Sequence, residues 1–176
     1  MGRLRLDIIN DKMVVTLEAQ EHVENGAFGK VGKIKDVDTL DRETYKLLPL
    51  TGGEKAGEIV FVAHNGHRYE AKAIGSKPSP IGGGKFYEEL NDGFDVSVEA
   101  GELTRGYFTS RRDVISVEPH VLFGEGVTID EHEVGTLLGA GSGYVLSDVD
   151  SIADAIAVVD GKELWCGYPV YVIRFL

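Results

Sequence analysis

Along most of the chain, apolar and polar side chains alternate with a period of two, in short runs separated by Gly, Asn and Asp. This is the pattern of β-strands joined by turns. Phe94-Asp95-Val96-Ser97-Val98 puts three apolar side chains on one face. Ala100-Gly101 then reads as a turn, residues 103–109 as a second strand, and Ser110-Arg111-Arg112 as a reversal into Asp113-Val114-Ile115-Ser116-Val117. Together these segments predict a three-stranded meander. Upstream, Ile59-Val60-Phe61-Val62-Ala63 is a continuous apolar run of strand length and predicts a buried strand. Asn65-Gly66 follows it, the dipeptide best suited to a type I′ hairpin turn. Residues 169–176 are β-branched and aromatic, and the apolar stretch 155–159 precedes them, so the two are expected to pair. A competing reading makes residues 151–159 a helix capped by Asp150.

The fold expected from these segments is mainly β: short antiparallel strands in a barrel or sandwich-like domain, with long Gly/Pro loops and at most one short helix. Thr51-Gly52-Gly53-Glu54-Lys55-Ala56-Gly57 has no apolar periodicity and reads as a loop. So does 75–85, which carries Pro78, Pro80 and Gly82-Gly83-Gly84. Residues 1–12 are expected to form an extended N-terminal arm and 13–176 a single β-rich domain, with 75–86 as the place where two subdomains would divide. No repeat with a period of about 20–50 residues is visible, which argues against a solenoid or propeller.

Composition narrows the class. A chain of 176 residues, 43% hydrophobic and 27% charged, has the profile of an ordinary globular protein. Cys166 is the only cysteine, which excludes an intrachain disulfide and a thiolate-rich metal site. Met1-Gly2-Arg3-Leu4-Arg5-Leu6-Asp7 alternates charged and apolar side chains, whereas a secretory signal needs about 7–15 continuous apolar residues. No apolar run approaches the roughly 18 residues of a membrane span, so no membrane partner is expected. The net charge of −11 is unevenly spread. Residues 113–176 hold eleven acidic side chains against Lys162 and Arg174, while residues 1–112 hold eighteen acids and sixteen bases. Nucleic-acid binding draws on Lys and Arg against phosphate, so no nucleic-acid partner is expected.

The motifs that carry chemistry elsewhere are incomplete here. Gly139-Ala140-Gly141-Ser142-Gly143 lacks the strand, spacing and following helix of a dinucleotide site, and Gly82-Gly83-Gly84-Lys85 runs into Phe86 where a phosphate loop needs Ser or Thr. His64 and His67 bracket Asn65-Gly66 and would face each other across a tight turn, with Glu70 as a third ligand, yet an exposed polar turn explains them as well. Glu131-His132-Glu133 has no second His at helical spacing. Cys166, in Leu164-Trp165-Cys166-Gly167-Tyr168, is expected to be structural in an apolar setting. Ser142 lacks the nucleophile-elbow spacing. No catalytic residue, cofactor or metal site is expected, and the chain is expected not to be an enzyme. Arg105, near Tyr107, lies in a predicted strand and is a candidate for a specific ion pair at an interface; Arg111 and Arg112 read as solvated turn residues.

Glu24-Asn25-Gly26-Ala27-Phe28-Gly29-Lys30-Val31-Gly32, followed by Asp41-Arg42-Glu43-Thr44-Tyr45, opens an ordered series of short segments. The apolar strand 59–63 comes next. After it come a "G-x-x-x-RGY" piece at 101–107, running into 113–117, then Val134-Gly135, Ala140-Gly141-Ser142-Gly143 and Gly167-Tyr168-Pro169-Val170-Tyr171-Val172-Ile173. In this order the segments resemble those of the head decoration proteins of tailed bacteriophages, the first being similar to one near their N-termini; residues 64–86 depart from the pattern, being richer in Gly and Pro.

The resemblance implies a virion structural protein, made in the host cytoplasm, that coats and stabilises the capsid shell without catalysis or cofactor. Its partners would be the major capsid protein and further copies of itself, in a homo-oligomer of closed symmetry such as a trimer. Arg3, Leu4, Arg5 and Leu6 are then candidate interface residues, in a strand laid on a neighbour by edge addition, together with Arg105 and Tyr107. Shell contacts are expected mainly before Asp113, with the acidic remainder facing solvent. Two other classes are a β-barrel module binding a small molecule or glycan, which needs an aromatic-lined concave pocket, and a hydrolase whose site the sequence hides.

Overall fold

The computed structural model describes residues 4–8, 14–34, 44–63, 69–73, 86–90 and 97–176. The chain runs through β1 (Leu4–Ile8), β2 (Val14–Glu18), β3 (Val23–Glu24), β4 (Phe28–Ile34), β5 (Thr44–Leu48), β6 (Leu50–Thr51) and β7 (Ile59–Val62). Next come β8 (Tyr69–Ala73), β9 (Phe86–Leu90), β10 (Ser97–Val98), β11 (Leu103–Phe108), β12 (Val114–Val117) and the short helix α1 (Pro119–Phe123). The last strands are β13 (Leu137–Ala140), β14 (Ser142–Gly143), β15 (Leu146–Asp148), β16 (Ala157–Trp165) and β17 (Tyr168–Phe175). The fold is mainly β, as the period-two alternation predicts.

Two assemblies of strands dominate. One is a closed barrel in the order β11-β2-β5-β4-β7, and the other a six-stranded sheet in the order β1-β12-β17-β16-β13-β15. A barrel of eight strands has just enough room for its side chains, and five strands leave less. Leu17, Leu47, Val60 and Val62 fill this one and are fully buried. Two further positions are glycine because nothing larger fits. A Cβ at Gly106 would lie 2.3 Å from Leu17 Cδ1, and one at Gly29 would lie 2.7 Å from Leu47 Cδ1.

The outer wall of the barrel packs on the sheet. Phe28 and Phe61 are cross-strand partners in β4 and β7, and their rings lie 6.4 Å and 6.3 Å from that of Phe175 in β17. Ile115, Val117, Tyr171 and Ile173, at alternate positions of β12 and β17, are buried in the same core. This arrangement explains the unbroken apolar run of β7. Val60 and Val62 turn into the barrel, Phe61 turns onto the sheet, and all four residues of the strand are buried.

The expected meander does not form. β10 pairs with β3, β11 with β2 and β7, and β12 with β1 and β17. The reversal at 110–112 is real, closed by Ser110 N–H donating to Asp113 Oδ2 at 2.7 Å, but it carries the chain from barrel to sheet. A hairpin between β7 and the segment after Asn65-Gly66 is excluded for a similar reason. Both edges of β7 are occupied, by β4 and β11, and β8 pairs with β9 instead. The turn itself, with His64 and His67, lies outside the described residues, as does 75–85. The strands that flank that stretch, β7 and β11, are neighbours in one barrel. Residues 151–159 form no helix: 152–154 is a turn, and β16 begins at Ala157 and pairs with β17 as expected.

Two substitutions test this packing. Gly106→Ala should destabilise the protein by about 1–3 kcal/mol, since the buried Leu17 has nowhere to move. Thr104, on the same strand and 3% exposed, has a buried hydroxyl with no hydrogen-bond partner among the described residues. Thr104→Val should therefore raise stability by about 1 kcal/mol. Both are read from denaturant midpoints; the reverse signs would contradict the inward orientation of β11.

Candidate interface at the first strand and the last hairpin

Residues 4–8 of the expected arm are an edge strand of the six-stranded sheet. β1 pairs antiparallel with β12, Leu4 opposite Val117 and Leu6 opposite Ile115, and alternation turns Arg5 and Asp7 to the sheet's outer face. There Arg5 Nε donates to Asp7 Oδ1, and its Nη2 donates to Ser116 Oγ at 3.1 Å and to Glu163 Oε2 at 2.9 Å. Ser116, fully buried, donates its own proton to Asp7 Oδ2. The Arg5 guanidinium also lies 5.8 Å from the ring centroid of Trp165. Asp7 first, and then Glu163, hold the Arg5 pKa above its ordinary value despite partial burial. The cluster fixes the face of β1 without using its outer edge. Asp7 is exposed as a residue although its side chain is only 20% exposed, so what meets solvent is largely its main chain. Among the described residues no strand pairs with that edge.

Trp165 and Glu163 belong to the hairpin of β16 and β17, whose tip is Cys166-Gly167. Both turn residues have positive φ, 50° and 86°, the signature of a type I′ turn. The tip reaches beyond β12, which pairs only with 171–174 of β17. Leu164 is 76% and Tyr168 44% exposed there. Cys166 is exposed as well, which corrects the expectation of a structural thiol in an apolar setting.

The sequence-derived candidates divide between the two assemblies. Leu4, Arg5 and Leu6 lie on β1, Leu4 buried and Leu6 39% exposed, while Arg3 is outside the described residues. Arg105 and Tyr107 lie on β11 in the barrel. Tyr107 is half-buried and stacks on Phe61 at 5.5 Å. Arg105 is exposed and makes no ion pair among the described residues, whereas Arg5, Lys30 and Arg174 each do. Glu163, Leu164, Trp165 and Tyr168 were not anticipated. The boundary drawn at Asp113 is not a boundary in space, because β16 sets acidic and apolar residues of the last third beside β1. Apart from Asp113 and Glu118, every carboxylate after residue 112 is exposed.

The remaining motif residues are accounted for by packing. His132 stacks on Phe123 at 3.7 Å, its Nδ1 lies 2.9 Å from Asp148 Oδ2, and its backbone N–H donates to the Tyr171 hydroxyl. Residues 139–143 supply the end of β13 and all of β14. A cavity of about 500 Å³ lies between 53–56 and 153–156, walled by Gly, Ala, Val and Ile together with Glu54, Lys55 and Asp154, and with no aromatic. Burial would raise the pKa of its Glu54, but bonds from Lys30 and Thr51 outweigh burial and bring it down to about 2. That carboxylate is thus already engaged. No family model, curated protein or solved structure matches the chain.

The hairpin tip makes a simple test possible. Cys166 should react fully with a thiol reagent in the native protein, at a rate close to that of the denatured chain. A thiol that reacts only after denaturation would place the tip inside a core.

Proposed function

We propose that this chain is a virion structural protein that decorates and stabilises the capsid shell of a tailed phage, without catalysis, as a homo-oligomer set against the major capsid protein. The observation that carries the proposal is the outer edge of β1, unpaired among the described residues, beside the apolar hairpin tip. An extended segment added to such an edge gains main-chain hydrogen bonds, and neighbouring apolar side chains supply buried area. The Arg5 cluster holds the strand in place beforehand, so little further ordering opposes binding. On a shell the same contact recurs many times, and an oligomer that grips several sites gains avidity from weak individual contacts. The ordered segments that resemble head decoration proteins support the same reading. The alternative, a barrel module for a small molecule or glycan, is disfavoured because leucine and valine fill the barrel and the 500 Å³ cavity has no aromatic wall.

Co-sedimentation with phage heads that lack the protein tests the proposal. The wild-type chain should bind to saturation at a fixed ratio. Deletion of residues 1–10 should weaken binding by about tenfold or more, and so should the double change Leu164→Ser and Tyr168→Ser. The second variant alters only exposed side chains and should keep the wild-type melting temperature. A wild-type protein that does not bind heads, or two variants that bind as tightly as wild type, would overturn the proposal.

A further inference from the structure

The alternation that makes β1 a strand also makes it complementary to itself. Leu4 and Leu6 lie opposite the buried Val117 and Ile115, and Leu6 keeps 39% exposure; Arg5 and Asp7 hold the other face. The outer edge has no partner strand among the described residues. Which main-chain groups point out along it follows from the hydrogen bonding of the sheet. Phe175 N–H donates to Asp113 O, so by alternation Ile115 and Val117 bond to β17, and Val114 and Ser116 turn to β1. Arg5, opposite Ser116, therefore bonds inward, and Leu4 and Leu6 turn their N–H and C=O groups outward.

We propose that the occupant of this edge is β1 of a second copy, paired antiparallel about a two-fold axis with Leu6 opposite Leu6. The inference rests on the reading of this edge as an attachment surface and names what attaches. In this register the two Leu6 residues exchange main-chain hydrogen bonds. Arg5 of each copy falls opposite Asp7 of the other in the flanking pairs, where side chains stand closest. Opposite charges across a strand pair are favourable and like charges repel. Sliding by two residues sets Arg5 against Arg5 in one direction and Asp7 against Asp7 in the other. Sliding by one sets apolar against charged side chains. Only the symmetric register matches charge with charge and leucine with leucine, which argues for a second copy over an unrelated segment. The axis crosses the sheet from face to face, so both hairpin tips, each with Trp165 beside Arg5, come to the same side of the seam. A two-fold contact uses both edges and closes on itself. The bulge between Leu6 and Ile8 keeps the seam short, well below the roughly 1,200–2,000 Å² of a stable interface. Pairing is therefore weak in dilute solution and becomes populated where the shell holds copies side by side.

Crosslinking of the purified full chain tests the pairing without heads. With Cys166→Ser in every variant, Leu6→Cys is treated with a short bismaleimide and compared with Leu103→Cys, which alters an exposed leucine of the barrel. Leu6→Cys should give dimer about tenfold faster or more at matched concentration. Adding Arg5→Asp, or separately Asp7→Arg, should remove most of that advantage, because each sets like charges opposite across the seam. Mixing those two variants should restore it, in crosslinks that join one of each. Equal rates for Leu6→Cys and Leu103→Cys, or a mixture that crosslinks no faster than its components, would overturn the proposal. Binding to heads separates this inference from the capsid reading. Heads that take up wild-type protein while Leu6→Cys shows no advantage leave that reading standing and remove the second copy from the edge. An advantage for Leu6→Cys in a protein that does not bind heads does the reverse.

Discussion

The contact of Phe28 and Phe61 with Phe175 is the one on which the rest of the structure depends, because it makes the barrel wall and the six-stranded sheet share a single core. Strands from both assemblies must be buried where they meet, which fixes the sidedness of β7, β12 and β17. It also decides what is left over. The part of the last hairpin that faces this core, Ala157, Val159, Tyr171, Ile173 and Phe175, is buried, while the part that extends past it carries Leu164, Cys166 and Tyr168 into solvent. β1 lies at the end of the sheet, with one edge satisfied by β12 and the other unpaired among the described residues. An open strand edge is ordinarily a liability that charged side chains guard against. Arg5 and Asp7 are charged, but they are tied to each other and to Ser116 on the face of the sheet, so they order the strand more than they shield its edge.

Much of the local structure was legible in the sequence. Period-two alternation marked the strands, the continuous apolar run marked β7, and the β-branched residues from Val170 onward marked β17. Strand partners were not legible. The meander was inferred because neighbours in sequence often pair, whereas β11 and β12 each have both edges taken by strands far away in the chain. Nothing in 103–117 reports that competition. Nothing in the sequence marks why positions 29 and 106 are glycine: they serve the narrow barrel interior, a constraint that exists only once five strands close.

The candidate interface was half visible. The alternating stretch from Arg3 to Ile9 was read as a strand, the structure has one at Leu4–Ile8, and Arg5 was among the residues singled out. Its ion-pair partner Glu163 lies 158 residues away and had no signal near it. Cys166 was misplaced because aromatic neighbours suggested burial. The available clue was the pair Cys166-Gly167 between Leu164-Trp165 and the β-branched and aromatic stretch from Tyr168, with Gly as its second member, which is hairpin geometry with Cys where Asn is usual. Arg105 was favoured for an ion pair because it sits in a strand, but its strand faces solvent there and the barrel offers it no carboxylate among the described residues.

The proposed attachment therefore joins two features distant in sequence: a strand edge that offers main-chain hydrogen bonds and a hairpin tip that offers apolar area. Acidic side chains over the last third keep the remaining surface hydrated. Amide hydrogen exchange at residues 4–8, compared between the free protein and the protein bound to phage heads, tests the central claim most directly. The account expects fast-exchanging amides on the outer edge of β1 to become protected on binding, together with those at 164–168. Unchanged exchange at both segments, with protection gained elsewhere on the molecule, would contradict it.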